Sequence, residues 1–198
     1  MRELFKLTIV LTIICSAAAT ALALAYNLTK EPIAYQQRLK KLNAIRAVQP
    51  DYDNEPDKDF LDLAVAKNKK GGDITTRFYI TKKGGAFTGT VFTVSATGYG
   101  GEIDVMLGVD PDGTITGIQI LNHTETPGLG AKITEEKFIH QFNSKNLSNT
   151  KWALKKEGGE LDQITGATIS PRAVVQAIHL GLESFRDHRA EIVGKSKG

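Results

Sequence analysis

Four residues near the C-terminus, Thr165-Gly166-Ala167-Thr168, followed by Ile169-Ser170-Pro171-Arg172, combine hydroxyls, a thin backbone and a helix start within eight positions. Ser170 is a good N-cap, and Pro171 suits the first helical position, where a missing N–H costs nothing. The helix then runs on through Val174, Ala177, Ile178, Leu182 and Phe185, an apolar stripe at helical spacing. The spacing sets the Thr168 hydroxyl about one turn ahead of unpaired N–H groups carrying roughly half a positive charge, a setting that suits a phosphate. Arg172 would add a full charge. A plain capped helix start fits the same residues, and the two readings stay open on physics alone.

Two further stretches are rich in glycine. Thr97-Gly98-Tyr99-Gly100-Gly101 lies between two strand-like segments, where it reads either as a bend or as a place where backbone approaches a ligand beside the Tyr99 ring. His123-Thr124-Glu125-Thr126-Pro127-Gly128-Leu129-Gly130 follows the next strand and reads as an ordinary loop or as a pocket wall. It is not a nucleotide loop of known pattern, because it lacks both the third glycine of the dinucleotide fingerprint and the Gly-Lys-Ser/Thr of a P-loop.

Together these motifs carry a resemblance. Asp162-x-x-Thr165-Gly166-Ala167-Thr168 resembles the flavinylation motif of the FMN-binding domain family, which includes subunits of the Rnf electron-transport complex and of the sodium-translocating NADH:quinone oxidoreductase. Gly98-Tyr99-Gly100-Gly101 and Glu125-Thr126-Pro127-Gly128-Leu129-Gly130 are similar to two other segments of that family, in the same order. The resemblance implies FMN joined through a phosphoester to Thr168 by a dedicated flavin transferase that uses FAD and magnesium. It also implies a cofactor site drawing on Asp162, Thr165, Gly166 and Ala167, with Tyr99, Glu125, Thr126, Gly128 and Leu129 lining the ring pocket. The chain's length matches the Rnf-type subunit better than its longer relative. The implied function is a membrane-anchored subunit of an ion-translocating electron transport complex, partnered by the other subunits and relaying electrons between ferredoxin and NAD. The alternative is a stand-alone tethered or secreted FMN flavoprotein that serves another extracytoplasmic reductase or regulates a membrane protein.

Composition is compatible with this and excludes other classes. The chain has 198 residues, 41% hydrophobic and 24% charged, with a formal charge of +3. That is ordinary for one globular domain with room for an anchor. The basic residues are scattered, with no basic helix of the kind that binds nucleic acid. One cysteine, Cys15, permits no disulfide and no cysteine-ligated cluster within the chain. Four histidines at 123, 140, 179 and 188 lack metal-ligand spacing. There is no Gly-x-Ser-x-Gly nucleophile elbow.

Leu7 to Tyr26 carries no charge and is about as long as a helix needs to cross a bilayer. Arg2 and Lys6 before it place the N-terminus in the cytoplasm and the bulk of the chain outside, at the periplasmic side. A cleaved signal peptide ending near Ala23-Leu24-Ala25 competes with a retained anchor; a lipoprotein signal does not suit Ile14 before Cys15. The expected organisation is an anchor over 1–28, an amphipathic helix and linker over 29–72, and an FMN-binding domain over 73–198. Within 29–72, Ile33, Leu39, Leu42, Ile45 and Val48 mark a helical stripe, Pro50 to Asp59 a linker, and Lys67 to Asp73 an exposed turn. Beyond it, β-branched runs predict strands at Ile74–Thr81, Thr88–Val94, Glu102–Val109 and Thr114–Leu121, with Asp110-Pro-Asp-Gly113 as a turn. Ile103, Val105, Leu107 and Val109 share one face. Thr134 is expected to cap a short helix through Phe142. The fold class is therefore α+β: an antiparallel sheet, one face on a core and the other polar, with one N-terminal transmembrane helix.

Overall fold

The computed structural model describes residues 1–67 and 73–196. The turn expected over Lys67 to Asp73 lies, apart from its two ends, outside them. The elements run α1 (Arg2–Val48), β1 (Phe60–Lys67), β2 (Asp73–Lys83), β3 (Ala86–Thr97), β4 (Glu102–Val109), β5 (Ile115–Asn122), α2 (Glu136–Ile139) and α3 (Ile169–Ser196), with short 3-10 turns between the last three.

Met1–Lys41 forms one unit by itself, the greater part of α1. It holds a segment long and apolar enough to cross a membrane, whose side chains are exposed. The hydroxyls of Thr8, Thr12, Thr20 and Thr29 each donate to the carbonyl four residues back, which satisfies them without water. The expected anchor over 1–28 and the helical stripe from Ile33 to Val48 both fall within α1. Asn27 to Lys30 contains no breaker, and Pro32 sits inside the helix.

Leu42–Gly198 is the second unit. Its sheet is antiparallel throughout, in the order β1-β2-β3-β4-β5, so each strand lies beside its neighbour in sequence. Lys83-Gly84-Gly85-Ala86 closes the β2–β3 hairpin, with positive φ at both glycines (56° and 80°), the geometry that matches strand twist in a two-residue loop. At the β4–β5 turn, Asp110 Oδ1 accepts from the N–H groups of Asp112 and Thr114, both at 2.9 Å. The linker predicted from Pro50 to Asp59 runs beside β2: Asn54 accepts from the Lys82 N–H and donates to the Ile80 carbonyl, each at 2.9 Å. Strand β1, which the sequence pattern did not single out, adds Leu61, Leu63 and Val65 to the core.

One face of the sheet packs on α3. Phe78, Phe92, Ile103, Val105, Leu107 and Val109 meet Val174, Ile178, Leu182 and Phe185, all essentially without solvent exposure. The β4 alternation and the α3 stripe read from the sequence are both the buried sets. The other face is covered where polar exposure was expected. Ala44, Ile45 and Val48, the last turns of α1, bury Tyr79, Val91 and Met106. A Cβ on Gly108 would lie 2.5 Å from the Val48 carbonyl, and one on Gly117 3.0 Å from its Cα, so these strand glycines are what let the helix end lie on the sheet.

Arg77 and Asp62 face one another across β1 and β2 in a two-pronged pair, both contacts 2.7 Å, with Arg77 also 4.0 Å over the Phe60 ring. The hydrogen bond from Arg77 holds the Asp62 carboxyl below its usual range. A depressed carboxylate contributes stability above its unfolded pKa and loses it as pH falls through the lower folded value. Asp62→Asn should therefore lower the thermal midpoint slightly at neutral pH, since exposed pairs are weak. The difference from the parent should vanish in strong acid; melting both across pH checks the sign.

Between β5 and α3 the chain wraps one end of the sheet. Phe138, Phe142, Leu154 and Leu161 are buried there, and Trp152 stacks between Phe142 and His179, 6.5 and 5.9 Å between centroids. Thr134 does not cap a helix. Its hydroxyl donates to the Ala131 carbonyl at 2.9 Å, closing a 3-10 turn over Gly130–Thr134, and α2 starts only at Glu136.

Candidate functional site

The chain crosses Ile164 to Ala167 in a tight turn closed by an Ala167 N–H to Ile164 carbonyl bond of 3.1 Å. Gly166 occupies its third position with φ +82°, a conformation that only glycine adopts without strain. The turn delivers Thr168 to the start of α3. The helix begins two residues earlier than the Ser170 cap would place it. The Thr168 carbonyl accepts the first helical bond, from the Arg172 N–H at 3.2 Å, so Thr168 itself is the cap residue. Pro171 then falls within the first turn, where its missing N–H still leaves nothing unpaired. The N–H groups of Ile169 and Ser170 at that end have no hydrogen-bond partner among the described residues. The half-buried Thr168 hydroxyl beside them has no hydrogen-bond partner among the described residues.

Ser170 serves another purpose than capping. Its hydroxyl, 1% exposed, donates to Glu125 Oε2 at 2.5 Å. Glu125, 5% exposed, accepts the Gly100 N–H on Oε1 at 2.9 Å, and its own N–H donates to His123 Nδ1 at 3.2 Å. Arg172 also departs from expectation: it turns away to Glu157, whose hydrogen bond raises the guanidinium pKa above its already high value.

A recess of about 410 Å³ opens where these pieces meet. It is lined by Tyr99 from the first glycine stretch, Glu125, Thr126, Leu129 and Gly130 from the second, and Gly166 through Ser170. That volume is in the range of small-ligand sites. Of the residues expected at the site, Thr168, Gly166, Ala167, Tyr99, Glu125, Thr126 and Leu129 line it. Asp162, Thr165 and Gly128 do not. Asp162 is exposed, paired with Lys155 at 2.7 Å, and its N–H donates to Gln141 Oε1 at 2.6 Å. Thr165 sits in the turn before Gly166. Gly128, with φ +75°, shapes the loop in which the Leu129 N–H reaches the Thr126 carbonyl at 3.2 Å. Gly130, Ile169 and Ser170 line the recess without having been singled out as site residues. Gly130 stood at the end of its motif, whereas nothing in the sequence marks Ile169.

The lining suits a flavin nucleotide. Tyr99, Leu129 and Ile169 are 73%, 44% and 45% exposed, an unusually apolar rim for a solvent-facing surface and one against which a flat ring can lie. The free helix end and the Thr168 hydroxyl form the polar corner that a phosphate needs.

Fold and recess together define an FMN-binding domain: the family of that description matches residues 98–183, the span that contains all three motifs. A solved structure of NqrC from Shewanella oneidensis superimposes with a TM-score of 0.53 and 26% identity, over 76% of this chain and 74% of that one. The G subunit of the ion-translocating oxidoreductase complex of Cereibacter sphaeroides is 40% identical over 183 residues, 89% of this chain and 81% of its own length. Its counterpart from Aliivibrio fischeri is 36% identical over 195 residues, 94% and 92% of the two lengths. The chain belongs to this family, the G subunits of ion-translocating oxidoreductase complexes.

Proposed function

We propose that this chain is the membrane-anchored flavin subunit of an ion-translocating (Rnf-type) electron transport complex, holding FMN covalently on Thr168 and relaying electrons between ferredoxin and NAD. The observation that carries the reading is the convergence of three motifs, far apart in sequence, on one recess with an unpartnered threonine hydroxyl at a helix end. Bound there, FMN supplies one- and two-electron chemistry, whose potential the surroundings of its ring adjust. The chain's own residues do the rest. The Thr168 oxygen would carry the phosphoester, exchanging its proton for the FMN phosphoryl group of FAD with AMP as leaving group, on a separate flavin transferase. The Ile169 and Ser170 N–H groups would hold the phosphate, and Tyr99, Leu129 and Ile169 would offer apolar surface to the ring.

The topology follows from charge and length. Arg2 and Lys6 favour an N-terminus in the cytoplasm, the segment of α1 around Leu7 to Tyr26 spans the membrane, and the folded domain lies on the outer side. A covalent tie has a physical purpose in that location, since a dissociating cofactor would be diluted away. The domain organisation is then an anchor continuing into the folded flavin-binding unit.

Co-expression with a flavin transferase, followed by intact mass measurement, tests this. The expected mass is that of the full chain plus one FMN less one water. A chain that gains no flavin would remove the basis of the relay, and a shortened chain would show that the apolar segment is cleaved. Co-purification with neighbouring membrane subunits separates a complex subunit from a stand-alone flavoprotein.

A further inference from the structure

The three motifs meet through one side chain. Glu125 Oε1 takes the Gly100 N–H, and Glu125 Oε2 takes the Ser170 hydroxyl, so a single buried carboxylate ties the first glycine stretch to the second and both to the first turn of α3. Two motif glycines are explained by its position. A Cβ on Gly98 would stand 2.3 Å from Oε1, and one on Gly130 2.4 Å from Oε2 and 2.6 Å from Ser170 Oγ. The backbone on both sides closes around the carboxylate, and any side chain there would displace it.

We propose that Glu125 is a positioning residue and not a ligand of the ring: it assembles the flavin recess, before any cofactor arrives, by holding the Tyr99 loop and the Thr168 helix end at a fixed separation. Both oxygens are turned to protein donors, and 5% exposure leaves the side chain little surface to offer a cofactor. The neighbours support the same role. His123 Nδ1 holds the Glu125 N–H, which fixes the backbone from which the carboxylate projects. The Tyr99 loop is closed on itself by the bond from the Gly98 N–H to the Gly101 carbonyl at 2.7 Å, and Glu125 links it to the first turn of α3. The proposal rests on the flavin-binding reading above for what the recess holds, but the brace itself is a property of the chain without cofactor.

The test uses the full-length chain in detergent, with and without co-expressed flavin transferase, as parent, Glu125→Ala and Glu125→Gln. Glutamine can restore both ties, its oxygen accepting from Gly100 and its amide donating to the Ser170 oxygen, whereas alanine restores neither. In the cofactor-free chain, hydrogen exchange at the Gly100 amide should speed up by about tenfold or more in Glu125→Ala, the size expected for losing one buried hydrogen bond. Exchange in β4 should stay unchanged. Glu125→Gln should remain close to the parent. In the flavin-loaded chain, the visible circular dichroism of the flavin should change in Glu125→Ala and be retained in Glu125→Gln, which a general loss of stability would not produce. Unchanged Gly100 exchange in Glu125→Ala, or a Glu125→Gln variant as impaired as alanine, overturns the proposal. If the parent takes up no flavin, the flavin reading fails and the Gly100 exchange alone decides the brace. Should Glu125→Ala not fold, Ser170→Ala replaces it; that variant removes one tie, and flavin circular dichroism identical to the parent's would overturn the proposal.

Discussion

Thr168→Ala, co-expressed with a flavin transferase and run on a denaturing gel, should lose its in-gel flavin fluorescence completely, while Thr168→Ser should keep it. The expectation follows from which hydroxyls the fold makes available. Thr165 lies in the turn, off the recess wall. Ser170 lines the recess, but it is 1% exposed and its hydroxyl is committed to Glu125. Thr126 lines the recess from the second glycine stretch and is not one of the residues at the start of α3. Among the described residues, Thr168 alone joins a hydroxyl without a partner to the N–H groups that would face the phosphate. No neighbour is placed to take over the bond, so the loss should be total rather than graded, and serine should serve because it presents the same oxygen. A Thr168→Ala band as bright as the parent's would place the attachment elsewhere and dissolve the argument from geometry.

The site was legible in the sequence to the extent that backbone shape determines it. Gly166 and Ala167 mark a thin loop, and the helical stripe after Ser170 needs a start close by, so a loop running into a helix end could be read directly; the positive φ of Gly166 is what the structure adds. What the pattern could not give was the identity of the cap. Ser170 and Thr168 are both competent N-cap residues, and the choice depends on Glu125, forty-five positions away, which draws the Ser170 hydroxyl inward. Glu125, expected as a pocket residue, does line the recess, and the sequence did not show that both its oxygens also accept from protein donors. The sheet followed a similar rule. Strand β4 announced itself by strict alternation, and the turn after it by Asp110-Pro111-Asp112-Gly113. Strand β1 was missed because Phe60 to Lys67 mixes two alanines and an aspartate into a short apolar run, and its pairing with β2 is decided by register across the sheet. The second covered face was hidden for another reason. The stripe marked five positions without saying which would be covered, and of these Ile45 and Val48, in the last turns of α1, are fully buried.

The other large effect should come from the seam that holds α3 on the sheet. Phe92 is fully buried on β3, 4.6 Å from the Phe78 ring between centroids, and faces α3 where Gly181 stands. A Cβ at Gly181 would come within 3.2 Å of the Phe92 ring and 2.7 Å of Val94, so helix and strand are as close there as a bare backbone allows. Phe92→Ala would empty that contact, and the surrounding helix and strands cannot collapse far to refill it. Truncating a core phenylalanine costs about 3–5 kcal/mol. For a domain of this size that corresponds to a fall in thermal midpoint on the order of 10 °C, measurable by scanning calorimetry on the cofactor-free chain. Because α3 carries Thr168 at its start, the loosened seam should also reduce flavin loading at the growth temperature, and loading should recover when expression is cooled. Phe92→Leu, which keeps most of the volume, should lose far less of both. A Phe92→Ala chain that melts with the parent would mean that α3 is held by its first-turn tie to Glu125 and not by the seam. The sheet would then be a platform for the flavin site rather than the element that fixes it.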